Sequence, residues 1–253
     1  MPEPTRRTAD CTEAEWSARQ QLAACYRIFD LLGWAEMIYN HISLRVPGPQ
    51  RHFLINPFGL HYSEVTASSL LKVDLEGRVL GDSPYGFNAA GFTPHATLHG
   101  HVADAHCVMH THTTAGMAVA SSAAGLQISN FYAAQLGGRV AYHDFEGITV
   151  HADEGRRLLQ AIGDKPAVIL RNHGLLSWGR TLPSALYTLW ILQRACEIQL
   201  AGAALGPAIP IPPEVQRRCQ ADAGRVNTDP DFGRENFDAL VRLVDRRDRS
   251  WRD

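Results

Sequence analysis

Cys107-Val108-Met109-His110-Thr111-His112 is the most informative stretch of the chain. Its small and β-tolerant residues predict a strand over His106 to His112, and side chains two apart on a strand point to one face. His110 and His112 share that face, and two imidazoles so placed reach one cation at about 2.0–2.1 Å. The plainer reading is a polar pair on a solvated strand. Against it, the apolar residues before the pair argue for burial, where two unpaired imidazoles carry a desolvation cost. Farther on, Ala167-Val168-Ile169-Leu170 is an apolar run of strand length, followed closely by Asn172-His173-Gly174. A histidine at the carboxyl end of a buried strand is a common site position in open α/β sheets, although alone it also reads as a capped turn. Three imidazoles leave positions open on a metal, which a catalytic ion needs and a structural zinc does not.

Outward from these segments the chain alternates irregularly between helices and strands. Thr12-Glu13-Ala14-Glu15 fits a capping box, and helical spacing of apolar residues from Leu22 to Leu32 ends at Gly33. Strands are expected at Ile42 to Val46, Phe53 to Ile55 and Leu71 to Leu75. Thr93-Pro94 reads as a helix start running to about Val102. A helix should follow Thr113, and two short strands should flank Gly147 between 138 and 150. Helices are expected from Glu154 to Ile162 and from Pro183 to about Leu200. Residues 1–11 read as a flexible arm and 12–205 as one α/β domain. Residues 206–253 read as a charged, partly helical extension, exposed or packed on a neighbouring subunit.

Composition narrows the function. The chain has 253 residues, 45% hydrophobic and 20% charged, with net charge −2, so no basic field advertises nucleic acid. No apolar run approaches the roughly 18 residues of a membrane span. Five scattered cysteines without a CxxC read as free thiols in a reducing cytoplasm. Only two lysines, Lys72 and Lys165, stand against 22 arginines. Neither lies where an imine-forming lysine would be desolvated, so Schiff-base chemistry is not expected. Twelve histidines are an excess. His95 and His99 lie one helical turn apart, one expected to face the metal and the other to pack internally. His52, His61, His101, His106, His143 and His151 read as surface or structural.

Taken together, His110-Thr111-His112, Asn172-His173-Gly174-Leu175, the segment from Phe53 to Leu60 and Val73-Asp74-Leu75-Glu76-Gly77 resemble the class II aldolase/adducin family over roughly residues 15 to 205. That resemblance implies an α/β/α sandwich with a mixed, largely antiparallel central sheet. It implies one divalent metal per subunit on His110, His112 and His173, with zinc, manganese or iron(II) as candidates. It also implies a homotetramer whose active sites lie between neighbouring subunits.

The departures from the family pattern bear on the substrate. Sugar-phosphate aldolases of the family carry a catalytic glutamate where this chain has His95, as adducin-like bacterial members do. His95 is then either an acid–base group with a working pKa nearer seven or a fourth ligand. Where those aldolases place phosphate-binding glycine, asparagine and serines, this chain has Asn40-His41, Phe58 and Thr93-Pro94, so the substrate is expected to lack a phosphate there. Phe58 and Phe131 suggest an apolar, even aromatic, ligand. The phenol that serves some members falls at Phe131, with Tyr132 beside it as a substitute. Glu146 points into a site or caps a solvated hairpin. Arg45 and Arg171 either hold a substrate carboxylate or serve as structural ion-pair partners. The expected activity is a metal-dependent lyase, retro-aldol or decarboxylating, on an oxo- or hydroxy-acid. The rivals are an iron(II) oxygenase on the same fold and a non-catalytic adducin-like assembly module.

Overall fold

The computed structural model describes residues 11–148 and 153–253. Residues 1–10 of the expected arm at 1–11, His151 and part of the second strand expected beyond Gly147 lie outside them. Helix α1 spans Glu13–Leu31, with the Thr12 hydroxyl accepting the Glu15 amide at 3.1 Å. The Glu15 carboxylate does not close the expected capping box; it holds Arg19 and Lys72 at 3.0 and 2.7 Å. A meander follows: β1 (His41–Arg45), β2 (Phe53–Ile55) and β3 (Leu71–Val73). β3 stops before its expected end because Asp74 turns the chain, accepting the amides of Glu76 and Arg78.

Helix α2 (Ala89–His101) leads into β4 (Cys107–Thr111), and α3 (Thr114–Ala120) and α4 (Phe131–Gln135) lead into β5 (Val140–His143). Helix α5 (Glu154–Ile162) precedes β6 (Ala167–Leu170), β7 (Gly174–Gly179) and α6 (Leu182–Gly202). The last helices are α7 (Pro213–Val226) and α8 (Arg234–Arg247). The strands form one sheet in the order β3-β2-β1-β4-β7-β6-β5, antiparallel throughout except for the parallel pair β5 and β6. The expected mixed, largely antiparallel sandwich is the fold found. No helix of the described residues is long and apolar enough to cross a membrane.

Alternation along the strands divides the core. Ile42 and Leu44 of β1 and Cys107 and Met109 of β4 face the layer holding α1, α3, α6 and α8. Val108 of β4 packs with Leu98 of α2 and Leu158 and Ile162 of α5 on the other face. By the same period, His41, Ser43 and Arg45 lie under α2, and His110 and His112 follow Val108 onto that face.

Three expectations are corrected. Helix α2 begins at an Asn88 cap, not at Thr93, and Pro94 sits inside it. Its missing N–H leaves only the Ala90 carbonyl without a helical donor, and Ala90 lines an open cavity. Strand β7 has no mark in the sequence, because Gly174–Gly179 is buried at every position and shows no period of two. The end of the chain is not an exposed tail. Phe237, Val244 and Trp251 are buried in the core layer with α1, Arg27 ion-pairs with Asp248 at 2.8 Å, and the Asp253 carbonyl accepts the Ser68 amide.

Candidate metal centre

His110 and His112 project from the end of β4, and His173 sits in the short loop joining β6 to β7. The antiparallel register brings them together: His110 lies opposite Leu176 and Thr111 opposite Leu175, just beyond the loop. Asn172 takes a left-handed conformation (φ 55°), and the His173 amide bonds back to the Leu170 carbonyl at 3.1 Å. Gly174 is required by closeness, since a Cβ there would overlap the Thr111 carbonyl and press the rings of His112 and His110. One nitrogen from each of the three histidines lies within 4.8 Å of the others.

Protons decide whether this cluster suits a cation. The Nδ1–H of His110 donates to the Leu175 carbonyl at 2.9 Å, and His112 Nδ1 lies 3.0 Å from the Glu36 carboxylate. In neutral rings both Nε2 atoms then carry lone pairs, and these two atoms are 2.7 Å apart. Two facing lone pairs repel, and a shared cation removes the conflict. Burial, together with the other two rings, lowers the pKa of His110, and burial, His112 and His143 push that of His173 down to about 4. The residues therefore fit a divalent ion. Glu36 orients His112 from behind, as a carboxylate commonly does for a metal-bound histidine.

Beside the triad lies a cavity of about 350 Å³ lined by Tyr39, Asn40, His41, His95, Phe145 and Ile148, among others. Asn40 is fully buried with neither end of its amide partnered, and neither ring nitrogen of His41 has a partner. Burial first, then His112 and His173, push His41 down to about 4. His95 is 1% exposed, and its Nε2 is also unpartnered. Such buried polar atoms are expected to find a ligand or water. Asn40, His41 and His95 thus lie with the triad around one chamber.

The other expected site residues do not line this chamber, although Arg171 and Glu146 line a small adjoining pocket that shares His173 and Phe145 with it. Arg45 does not face the cavity; its guanidinium caps the end of α2, donating to the carbonyls of His99, Val102 and Ala103. Arg171 lies over the Tyr142 ring at 4.5 Å. Among the described residues lining the cavity there is no arginine or lysine, so the expected guanidinium for a substrate carboxylate is absent there. Glu146 is gripped by Arg157 at 2.5–2.9 Å, which lowers its pKa and keeps it ionised. Tyr132 belongs to the opposite core layer, 5.4 Å from the Trp190 ring, and Phe131 beside it is 69% exposed. Phe58 stands outside the chamber, 6.5 Å from Tyr39 on its wall.

Sequence reasoning missed Glu36, Ser43 and Tyr39. Only Ser43 had a signal, as the strand partner of His41 two positions on. Glu36 and Tyr39 sit in an irregular turn with Met37 left-handed (φ 50°), which no periodicity marks.

Residues 20–200 match the family model of the Class II Aldolase and Adducin N-terminal domain. An aldolase II superfamily protein from Pseudomonas syringae superposes with a TM-score of 0.92 at 40% identity, over 96% of this chain and 98% of that one. L-fuculose 1-phosphate aldolase from Glaciozyma antarctica PI12 superposes with a TM-score of 0.81 at 28% identity, over 96% and 94%. Alpha-adducin from Rattus norvegicus is 43% identical over 241 residues, which are 90% of this chain and 33% of adducin. With its fold, its histidine triad and these likenesses in agreement, the chain belongs to the class II aldolase and adducin family.

Proposed function

We propose that this chain is a divalent-metal-dependent carbon–carbon lyase acting on a non-phosphorylated oxo- or hydroxy-acid with an apolar arm. The observation that carries the reading is the neutral, unpartnered Nε2 of His95 opening on the same chamber as the three histidines. A divalent ion held by His110, His112 and His173 would supply positive charge that stabilises an oxyanion. His95 Nε2 takes the proton from the substrate hydroxyl, the adjacent carbon–carbon bond breaks to release a carbonyl product, and the same proton returns to the carbon holding the electron pair. Retro-aldol cleavage needs such a base at its first step, whereas decarboxylation does not, so His95 favours the former.

With no arginine or lysine among the described residues that line it, the chamber suits a phosphate dianion poorly. The amide of Asn40 and the ring of His41 are placed to meet substrate oxygens, and Tyr39, Phe145 and Ile148 supply the apolar wall. We further propose a homotetramer in which the exposed Phe131 reaches a neighbouring subunit's chamber.

The likeness to alpha-adducin favours a second reading, a non-catalytic assembly module. Elemental analysis of untagged protein, an activity screen over oxo- and hydroxy-acids, and sedimentation mass separate the readings. The expected result is about one zinc or manganese per chain, lost in His110→Ala, and a mass four times the 27.9 kDa chain. Turnover of a hydroxy-acid should fall at least about 100-fold in His95→Gln with the metal retained. Iron with oxygen uptake would put the oxygenase first. No metal, and no rise in melting temperature with any divalent ion, would leave the assembly module.

A further inference from the structure

Ser43 is fully buried on β1, and its hydroxyl touches two imidazoles at once. His95 Nδ1 lies 2.5 Å from Ser43 Oγ, and His99 Nε2 lies 2.7 Å from it. The far side of His99 is fixed as well, with Nδ1 2.9 Å from the Ala105 carbonyl. All three side chains are buried to within 1% exposure.

Counting protons leaves one arrangement. A carbonyl only accepts, so His99 Nδ1 must donate to Ala105. Burial pushes the pKa of His99 to about 3, so the ring is neutral and its single N–H is already committed. His99 Nε2 is therefore an acceptor, and the Ser43 hydroxyl donates to it. That uses the only proton on Ser43, so His95 Nδ1 must donate to Ser43 Oγ. His95 is likewise buried and neutral, which leaves its Nε2 as a bare lone pair. Were His99 charged, its Nδ1–H would still donate to Ala105, but both bonds at Ser43 Oγ would reverse and His95 Nε2 would carry a proton instead.

We infer that Ser43 and His99 are positioning residues that fix His95 in the tautomer with Nδ1 protonated and Nε2 free to act in the chamber. This rests on the reading of His95 as the base, but it concerns residues that touch neither the triad nor the substrate. No proton travels along the chain of bonds. When Nε2 takes up a proton, the Nδ1–H bond to Ser43 Oγ becomes charge-assisted and stronger, while the other two bonds keep their sense.

The test is nitrogen-15 NMR of ring-labelled histidine in the zinc-loaded protein at neutral pH, with the His95 signals assigned by their loss in His95→Gln. The expected spectrum shows a protonated, pyrrole-type Nδ1 and a pyridine-type Nε2 on His95, and Ser43→Ala is expected to mix the two tautomers. In a turnover assay Ser43→Ala should lower kcat by about tenfold with KM unchanged, less than removing the base itself. A wild-type His95 with its proton on Nε2 overturns the relay, and so does an unchanged His95 pattern in a folded Ser43→Ala protein. The wild-type spectrum decides even where that variant does not fold. A metal-shifted Nε2 with Nδ1 still protonated keeps the relay and overturns the base reading. The correct tautomer without any cleavage activity keeps the relay and overturns the lyase.

Discussion

Single residues set the tolerance of this site. Gly174 is the sharpest case, because its missing Cβ leaves room for the Thr111 carbonyl and for the rings of His110 and His112. Gly174→Ala should displace His173 from the other two histidines. Overpacking of this kind costs about 1–3 kcal/mol, and the displaced ligand should weaken zinc binding by about tenfold or more. Calorimetric zinc titration beside a thermal melt checks both effects. Wild-type zinc affinity in the variant would show that the loop can move without moving the ligand. Gly91 plays the same part under α2, where a Cβ would overlap the His41 ring.

At the scale of elements, the pairing of β1 with α2 organises the chamber. Two residues of strand advance about 6.8 Å and four residues of helix about 6 Å, so alternate strand positions keep step with successive helical turns. His41 meets Gly91, Ser43 meets His95 and His99, and Arg45 meets the carbonyls that end the helix. Arg45 thus holds α2 along the strand instead of binding substrate. Arg45→Met should destabilise the fold by about 2 kcal/mol through lost charged hydrogen bonds, while leaving metal stoichiometry and KM unchanged. Urea denaturation and steady-state kinetics measure the two effects, and a raised KM at unchanged stability would return Arg45 to the substrate. The strand is legible in the sequence at Ile42 to Val46, one residue later than β1 runs, but its register with α2 is not. Thr93-Pro94 reads as the helix start, and the Asn88 cap has no signature that outranks Thr-Pro in one dimension.

For the whole molecule, the unusual quantity is the number of neutral histidines held inside. His99 is pushed down to about 3 and His41 to about 4, both chiefly by burial, and an unfolded chain would titrate them near 6.5. Below about pH 6.5 the unfolded state binds more protons than the folded one, so stability falls as pH falls. Each such ring removes about 1.4 kcal/mol per pH unit until its folded pKa is reached. For His41 that window is about pH 6.5 to 4, and for His99 about 6.5 to 3. Metal-free protein should lose urea resistance steeply between pH 6.5 and 5, with a slope of at least two protons. A flat midpoint across that range would mean that these rings are hydrated or already charged. The packing of α8 and Trp251 onto α1 puts the end of the chain inside the same cooperative unit.

Local rules of the chain were enough to read the fold class and the three histidines of the candidate metal centre. Alternation along a strand is a local rule, so the shared face of His110 and His112 could be read from their spacing, and an apolar run ending at Asn172-His173-Gly174 marks a strand end. Only the tertiary structure decided which polar groups meet. Ser43 lies 52 residues before His95 and 56 before His99, and nothing in their local sequence ties the three together. Arg45 and Glu146 each read either as a site group or as a structural one, and helix α2 and Arg157 claim them. Hydrogen bonds and ion pairs act over about 3 Å, so partners distant along the chain are settled only when sheet register and helix placement bring them within that reach.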